Sequence, residues 1–164
     1  MTAVVRVLLS LLSLAGAGGV HPCWLPPVSG PLVEPFRAPA CDFCAGHRGV
    51  LFAAVPGEPV RAVAAGVVTF AGSVASVAYV VVEHVDGVRA TYGNLGGITV
   101  RSGERVPVGG AVGTAGPRVH FGLRRAGRYL DPAPWFAGAH ARPRLVPVDG
   151  RHRRPSPAVR GCGP

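Results

Sequence analysis

Two histidines stand out for the residues around them. His47 lies in Gly46-His47-Arg48-Gly49-Val50-Leu51-Phe52, and His120, 73 positions later, in Arg118-Val119-His120-Phe121-Gly122-Leu123. Glycine-rich, strand-like frames hold an imidazole in a fixed direction, as the ligands of a zinc hydrolase must be held. A catalytic zinc takes three protein donors and leaves one position for water. The metal makes that water nucleophilic and polarises the carbonyl under attack. A base or hydrogen-bond donor nearby handles the proton and the oxyanion. His47 and His120 supply two donors toward such a site. Against this stands the commoner fate of a single histidine in a β-protein, which is to be packed or left at the surface. His84 ends an apolar run and reads as a strand-end residue, while His21, His140 and His152 lie in the flanks and read as solvent-exposed.

Cysteine offers another donor set. Cys41-Asp42-Phe43-Cys44-Ala45-Gly46-His47 has Cys-x2-Cys-x2-His spacing, which could supply substitute metal ligands. A single Cys-x2-Cys without a second pair is weak evidence for zinc. In an exported chain a disulfide is the simpler reading. The four cysteines, Cys23, Cys41, Cys44 and Cys162, allow three full pairings, including Cys41 with Cys44 and Cys23 with Cys162.

The elements that must position these residues are short strands. Val60-Arg61-Ala62-Val63 is followed by Gly66-Val67-Val68-Thr69-Phe70-Ala71-Gly72, bounded by glycines. Val77–His84 is a β-prone run, Asp86-Gly87 a hairpin turn, and Val88-Arg89-Ala90-Thr91-Tyr92 the returning strand. Ile98-Thr99-Val100 and Arg105-Val106 flank a turn at Gly103-Glu104. Gly109-Gly110-Ala111-Val112-Gly113 gives one further strand and 118–124 the last, with at most a helical turn around Pro134 to Phe136. Residues 18–45 form a Pro-rich lead-in expected to pack on the domain as an extended segment, and 137–164 an Arg- and Pro-rich tail expected to be disordered.

Composition agrees. The chain has 164 residues, enough for one domain and one core, with 24 Gly and 17 Pro and 48% hydrophobic residues dominated by Val. That favours a turn-rich all-β domain. All 17 basic residues are Arg, and the scarcity of residues with A/T-rich codons suggests a GC-rich bacterial genome. The net charge of +9 is then partly a codon effect. The arginines are scattered, with few aromatics between them, so no nucleic-acid partner is expected. An anionic wall or membrane surface is a better neighbour for such a chain.

The N-terminus has the form of an export signal. Arg6 provides the charged region, residues 7–14 the apolar run, and Ala15-Gly16-Ala17 the cleavage pattern. The run is too short to span a bilayer. His21-Pro22 before Cys23 argues against a lipid anchor, so a membrane contact is expected only through an uncleaved signal.

The middle of the chain resembles the lysostaphin/LytM-type zinc endopeptidases, which cut peptide cross-links in peptidoglycan. Gly57-Glu58-Pro59-Val60-Arg61-Ala62-Val63-Ala64-Ala65-Gly66-Val67-Val68 matches the family's Gly-x-Pro-Val-x-Ala-x-x-x-Gly-x-Val element. Thr91-Tyr92-Gly93-Asn94-Leu95 matches Tyr-x-His-Leu with its flank, and Gly103-Glu104-Arg105-Val106-Pro107-Val108-Gly109 matches Gly-x-x-Val-x-x-Gly. Gly-His-Arg-Gly-Val at 46–50 and Tyr129-Leu130-Asp131-Pro132 look most like an actinobacterial branch. The resemblance implies a small antiparallel β-domain of the duplicated-hybrid-motif type, with two packed sheets and a groove between turns. It divides the chain into a signal peptide at 1–17, the lead-in at 18–45, the peptidase-type domain at 46–136 and the basic tail at 137–164.

Carried over residue by residue, the family's site is depleted here. Two zinc-ligand positions fall on His47 and His120, and the third, an Asp in the family, falls on Leu51. The catalytic histidines fall on Asn94 and Arg118, so no catalytic residue is assigned. Two neutral imidazoles hold zinc far more weakly than a complete set, so zinc is a doubtful cofactor. Arg118 would put a fixed charge beside the metal position. Asn94 can donate a hydrogen bond but is no base near neutral pH.

The expected function is an exported domain, catalytically inactive, whose groove binds a peptidoglycan peptide or a wall enzyme through Tyr92, Asn94 and Arg118. Its location would be secreted or wall-associated. One alternative is an active zinc endopeptidase with an altered ligand set. Another is a structural exported protein that uses the groove for nothing.

Overall fold

A computed structural model describes residues 23–41 and 43–136 of the chain. The segments expected to be a signal peptide (1–17) and a basic tail (137–164), together with His21, His140, His152 and Cys162, lie outside the described residues. Among the described residues nine strands follow in order: β1 (Leu32–Glu34), β2 (Val50–Ala53), β3 (Pro59–Arg61), β4 (Gly66–Val74), β5 (Val77–His84), β6 (Val88–Ile98), β7 (Arg105–Val106), β8 (Ala111–Arg125) and β9 (Arg128–Leu130). A single 3-10 turn, Ala133–Trp135, ends the described chain where a helical turn was expected. The chain is all-β and antiparallel, as the sequence indicates.

Three details differ from the expectation. Hydrogen bonding joins all nine strands in one sheet, ordered β1-β2-β8-β6-β5-β4-β7 with β3 and β9 also on β8, where two sheets were expected. The long strands β6 and β8, broken by bulges at Gly93/Leu95 and Leu95/Gly97, do the joining. Strands also begin earlier than Val60, with β1 inside the Pro-rich lead-in. Finally, the two expected strands at 109–113 and 118–124 are one strand, β8, running through Pro117. Proline is tolerated because it sits at a change of partner: β8 pairs β3 up to Thr114 and β2 from Arg118. There the Pro117 carbonyl still accepts from Ala54 N at 3.2 Å.

Alternation along β8 separates two faces. Val119, Phe121 and Leu123 are buried to 1% exposure or less, while Arg118, His120, Gly122 and Arg124 face the other way. β6 repeats the pattern, with Val88, Ala90 and Tyr92 inward and Arg89, Thr91 and Gly93 on the opposite face. The inward side chains meet an aromatic cluster. Phe121 lies 5.3 Å from Tyr92 and 5.4 Å from Phe136, and Phe52 packs edge-on to Phe136 at 5.5 Å. The lead-in closes the core: Trp24, 5% exposed, stacks at 4.7 Å on Trp135 and donates its amide to the Trp135 carbonyl.

Candidate functional site

Directly opposed residues of an antiparallel pair share a face of the sheet. The register therefore lays one row across five strands: Glu34 on β1, Leu51 on β2, His120 on β8, Gly93 on β6 and Tyr79 on β5. At about 4.8 Å between strands, that row is about 19 Å long. One row away on β8 stands Arg118, opposite Ala53; two rows away on the other side stands Arg124, opposite Arg89. This face is the floor of the groove.

The two sequence-predicted histidines do come together. Their ring centres lie 5.4 Å apart at 60°. Glycine makes the room: a Cβ on Gly49 would lie 2.6 Å from His120 Cε1, and one on Gly122 3.3 Å from its Nε2. His47 is fixed by the lead-in. It exchanges two backbone hydrogen bonds with Arg37, at 2.9 and 3.0 Å, and its Nδ1 donates to the Pro35 carbonyl at 2.9 Å. Its Nε2 then carries the free lone pair, the orientation that outer hydrogen bonds impose on ligating histidines. Burial holds the His120 imidazole well below the usual range, at about 4. The neighbouring His47 pushes the same way, and Glu34 pulls weakly against both. Above that pH His120 is neutral and able to donate its lone pair.

The third donor is missing from this geometry. Leu51 stands opposite His120 on the same face, 9% exposed, and presents only hydrocarbon. Cys41 and Cys44 form a disulfide, so the thiolates that might have substituted for it are not available. No free cysteine occurs among the described residues, and Cys162, one of the partners the sequence allows for Cys23, lies outside them. Among the described residues no three His, Cys, Asp or Glu side chains are arranged to hold a metal. The described residues therefore do not fit the three-donor zinc set that the sequence resemblance implies.

Three other site residues are placed as follows. Tyr92 is not a groove residue: it is fully buried, and its hydroxyl accepts from Val63 N at 2.9 Å. The alternation of β6 turns it into the core, and burial raises its pKa. Asn94 is exposed at the β6 bulge with a left-handed φ of 56°, a conformation asparagine adopts more readily than most residues. Arg118 is exposed, and its charge is not among the causes of the His120 shift. His84 is the strand-end residue expected, 6% exposed, with Nδ1 2.9 Å from the Ala65 carbonyl.

Sequence reasoning missed Glu34, Tyr79, Thr91, Arg124 and Tyr129, all on or beside the same face. Thr91 and Arg124 were legible from the polar–apolar alternation of their strands. Glu34 and Tyr79 reach the row only through pairing register.

Known proteins are similar to this chain in sequence and in fold. The NlpD/LppB lipoprotein homologue of Pseudomonas aeruginosa is 32% identical over 128 residues, which is 68% of this chain and 43% of that protein. The murein hydrolase activator NlpD of Escherichia coli is 28% identical over 118 residues, 66% of this chain and 30% of that protein. The chain thus spans less than half the length of these curated relatives. In fold it is similar to the lysostaphin catalytic domain of Staphylococcus simulans, with a TM-score of 0.58 and 23% identity, covering 64% of this chain and 90% of that one. Residues 45–132, more than half of the sequence, match peptidase family M23, and the chain belongs to that family.

Proposed function

We propose that this chain is an exported, catalytically silent member of family M23 that grips peptidoglycan peptides, or the enzymes that cut them, without cutting. The observation that carries the reading is Leu51. It occupies the place in the His120 row where a third donor would be needed, and hydrocarbon there leaves the two imidazoles unable to hold a catalytic zinc tightly. With Asn94 and Arg118 where the family resemblance puts catalytic histidines, the groove has hydrogen-bond donors and a cation but no base for a proton. Those groups suit binding: an arginine pairs well with a peptide carboxylate. A relative named as a murein hydrolase activator supports a wall partner, and the signal-like residues 1–17 support export.

The test is co-sedimentation of the oxidised chain with purified peptidoglycan. The chain should pellet with the wall, and Arg118→Glu should reduce the pelleted fraction. A wild-type chain left in the supernatant would sink the binding role and leave a structural protein.

One observation favours a second reading, an active zinc endopeptidase with an altered ligand set. Glu34, opposite Leu51, brings its Oε1 to 3.8 Å from His47 Nδ1 while Arg37 holds the same oxygen at 2.8 Å. A carboxylate thus stands on the Nδ1 side of His47, carried by the lead-in instead of β2, and would have to turn toward Nε2 to serve as a ligand. That reading requires about one zinc per chain after dialysis, lost in Glu34→Gln.

A further inference from the structure

A second surface lies away from the histidine row. The Trp24 ring packs 5.6 Å from that of His84, and His84 ends β5, about 17 Å along the strand from Tyr79 in the row. Beside Trp24 opens an apolar groove of about 520 Å³, walled by Leu25 and Pro26 of the lead-in, by Val63 and Ala64, and by Val108. Leu25 is 75% exposed and Val108 69%, so nothing among the described residues covers these large apolar side chains. The one charged residue among the described walls, Arg61, is turned to the Gly109 carbonyl at 2.9 Å. An apolar surface of this kind is usually covered by something.

Two features point to the occupant. The chain leaves the described residues at Phe136, which forms a parallel β-bridge with Trp24. Cys23, on the lip of the groove, is disulfide-bonded. Cys41 and Cys44 bond each other, so Cys162 is the one cysteine of the sequence left for Cys23. Bridged strands lie about 5 Å apart and bonded cysteines have Cα atoms about 4–7 Å apart. A segment that begins at Phe136 and is bonded at Cys162 therefore starts and ends at the same lip. Within it, Leu145-Val146-Pro147-Val148 is the one run of four apolar residues, set between Arg144 and Asp149. From Phe136 to Leu145 the chain spans at most about 30 Å, enough to turn back over the groove.

We infer that residues 145–148 of the chain's own tail lie extended in this groove, held at its lip by a Cys23–Cys162 disulfide. Proline fixes its own φ and keeps the residue before it extended, so Val146 and Pro147 lose little freedom on seating. Packing Leu145, Val146 and Val148 against Leu25 and Val108 removes apolar surface of both partners from water. Tying the tail at both ends keeps the run at high local concentration over the groove. A disulfide formed in an oxidising compartment would thus hide an apolar surface that reduction exposes again. The site lies at the end of β5 remote from His47 and His120, and the inference does not depend on what the histidine face binds.

The test is limited trypsin digestion of the oxidised chain, with methyl-labelled NMR on the same material. Trypsin should cut Arg144–Leu145 at least about tenfold more slowly than Arg151–His152, which lies beyond the seated run. Val146→Asp, and separately Cys162→Ser, should bring the two rates together while the His47 and His120 signals stay in place. In the unaltered chain, nuclear Overhauser contacts should join the methyls of Leu145, Val146 and Val148 to those of Leu25 and Val108. Peptide mapping without reduction should recover Cys23 joined to Cys162. Equal cleavage rates in the unaltered chain would overturn the inference, as would a different partner for Cys23. Contacts found only between differently labelled chains would also overturn it, giving the groove to a second copy.

Discussion

The two faces of β8 carry different kinds of information in alternate residues. Val119, Phe121 and Leu123 face inward at 1% exposure or less and hold the sheet on its core. Arg118 and Arg124 stand exposed on the groove face, while His120 and Gly122 between them are held by close contacts. Because side chains of a strand alternate, exposed groove residues such as Arg118 and Arg124 can change and leave the core untouched. Fold and site chemistry are therefore separable in principle, and on its groove face this molecule carries two imidazoles and two arginines.

The comparison is sharpest where the two faces meet the same experiment. Phe121→Ala should cost about 3–5 kcal/mol of stability, read from the denaturant midpoint. Arg124→Ala, three residues on, should cost no more than about 0.5 kcal/mol. A large loss from the second would show that the groove face is structural after all. Next in size, Leu51→Asp should convert hydrocarbon into a third donor. Zinc affinity should rise at least about 100-fold, since a direct ligand is worth more than the outer partners that contribute 10–100-fold. An unchanged affinity, measured by chelator competition on a folded variant, would mean that His47 and His120 are not aimed at a common point.

Smaller effects follow from protonation. The His120 pKa is lowered from 6.5 to about 4, so the folded chain resists a proton that the unfolded chain accepts. Stability should be full above about pH 6.5 and fall as pH drops toward 4, by on the order of 3 kcal/mol. His84 is shifted down by burial and adds to the same slope. His120→Asn should therefore flatten the profile only in part; an unchanged profile would contradict the burial of His120. The smallest effect should come from Arg118→Ala, a few-fold loss of wall binding with no change in melting temperature, as expected for one exposed cation.

Much of this was legible in the sequence, and the remainder was hidden for physical reasons. The hairpin at Asp86-Gly87 and the strand Val77–His84 follow from local turn chemistry and β-propensity, and both stand where expected. That His47 and His120 come together followed from the family resemblance, since their local frames alone allow two unrelated packed or surface histidines. Tyr92 was misplaced because a motif was read without its alternation: Arg89, Thr91 and Gly93 already mark the outer face of β6, which sends Tyr92 inward. The strand through Pro117 was hidden because proline normally ends one, and only the change of partner from β3 to β2 makes it harmless. Glu34 and Tyr79 lie 41 or more positions from His120, and long-range register alone brings them into its row.

The central claim is that this groove holds wall peptides without cutting them. Its most direct test is the release of new amino groups from purified peptidoglycan incubated with the oxidised chain and added zinc. The account predicts release no higher than in buffer, from wall to which the chain is bound. Zinc-dependent release that a chelator stops would contradict it.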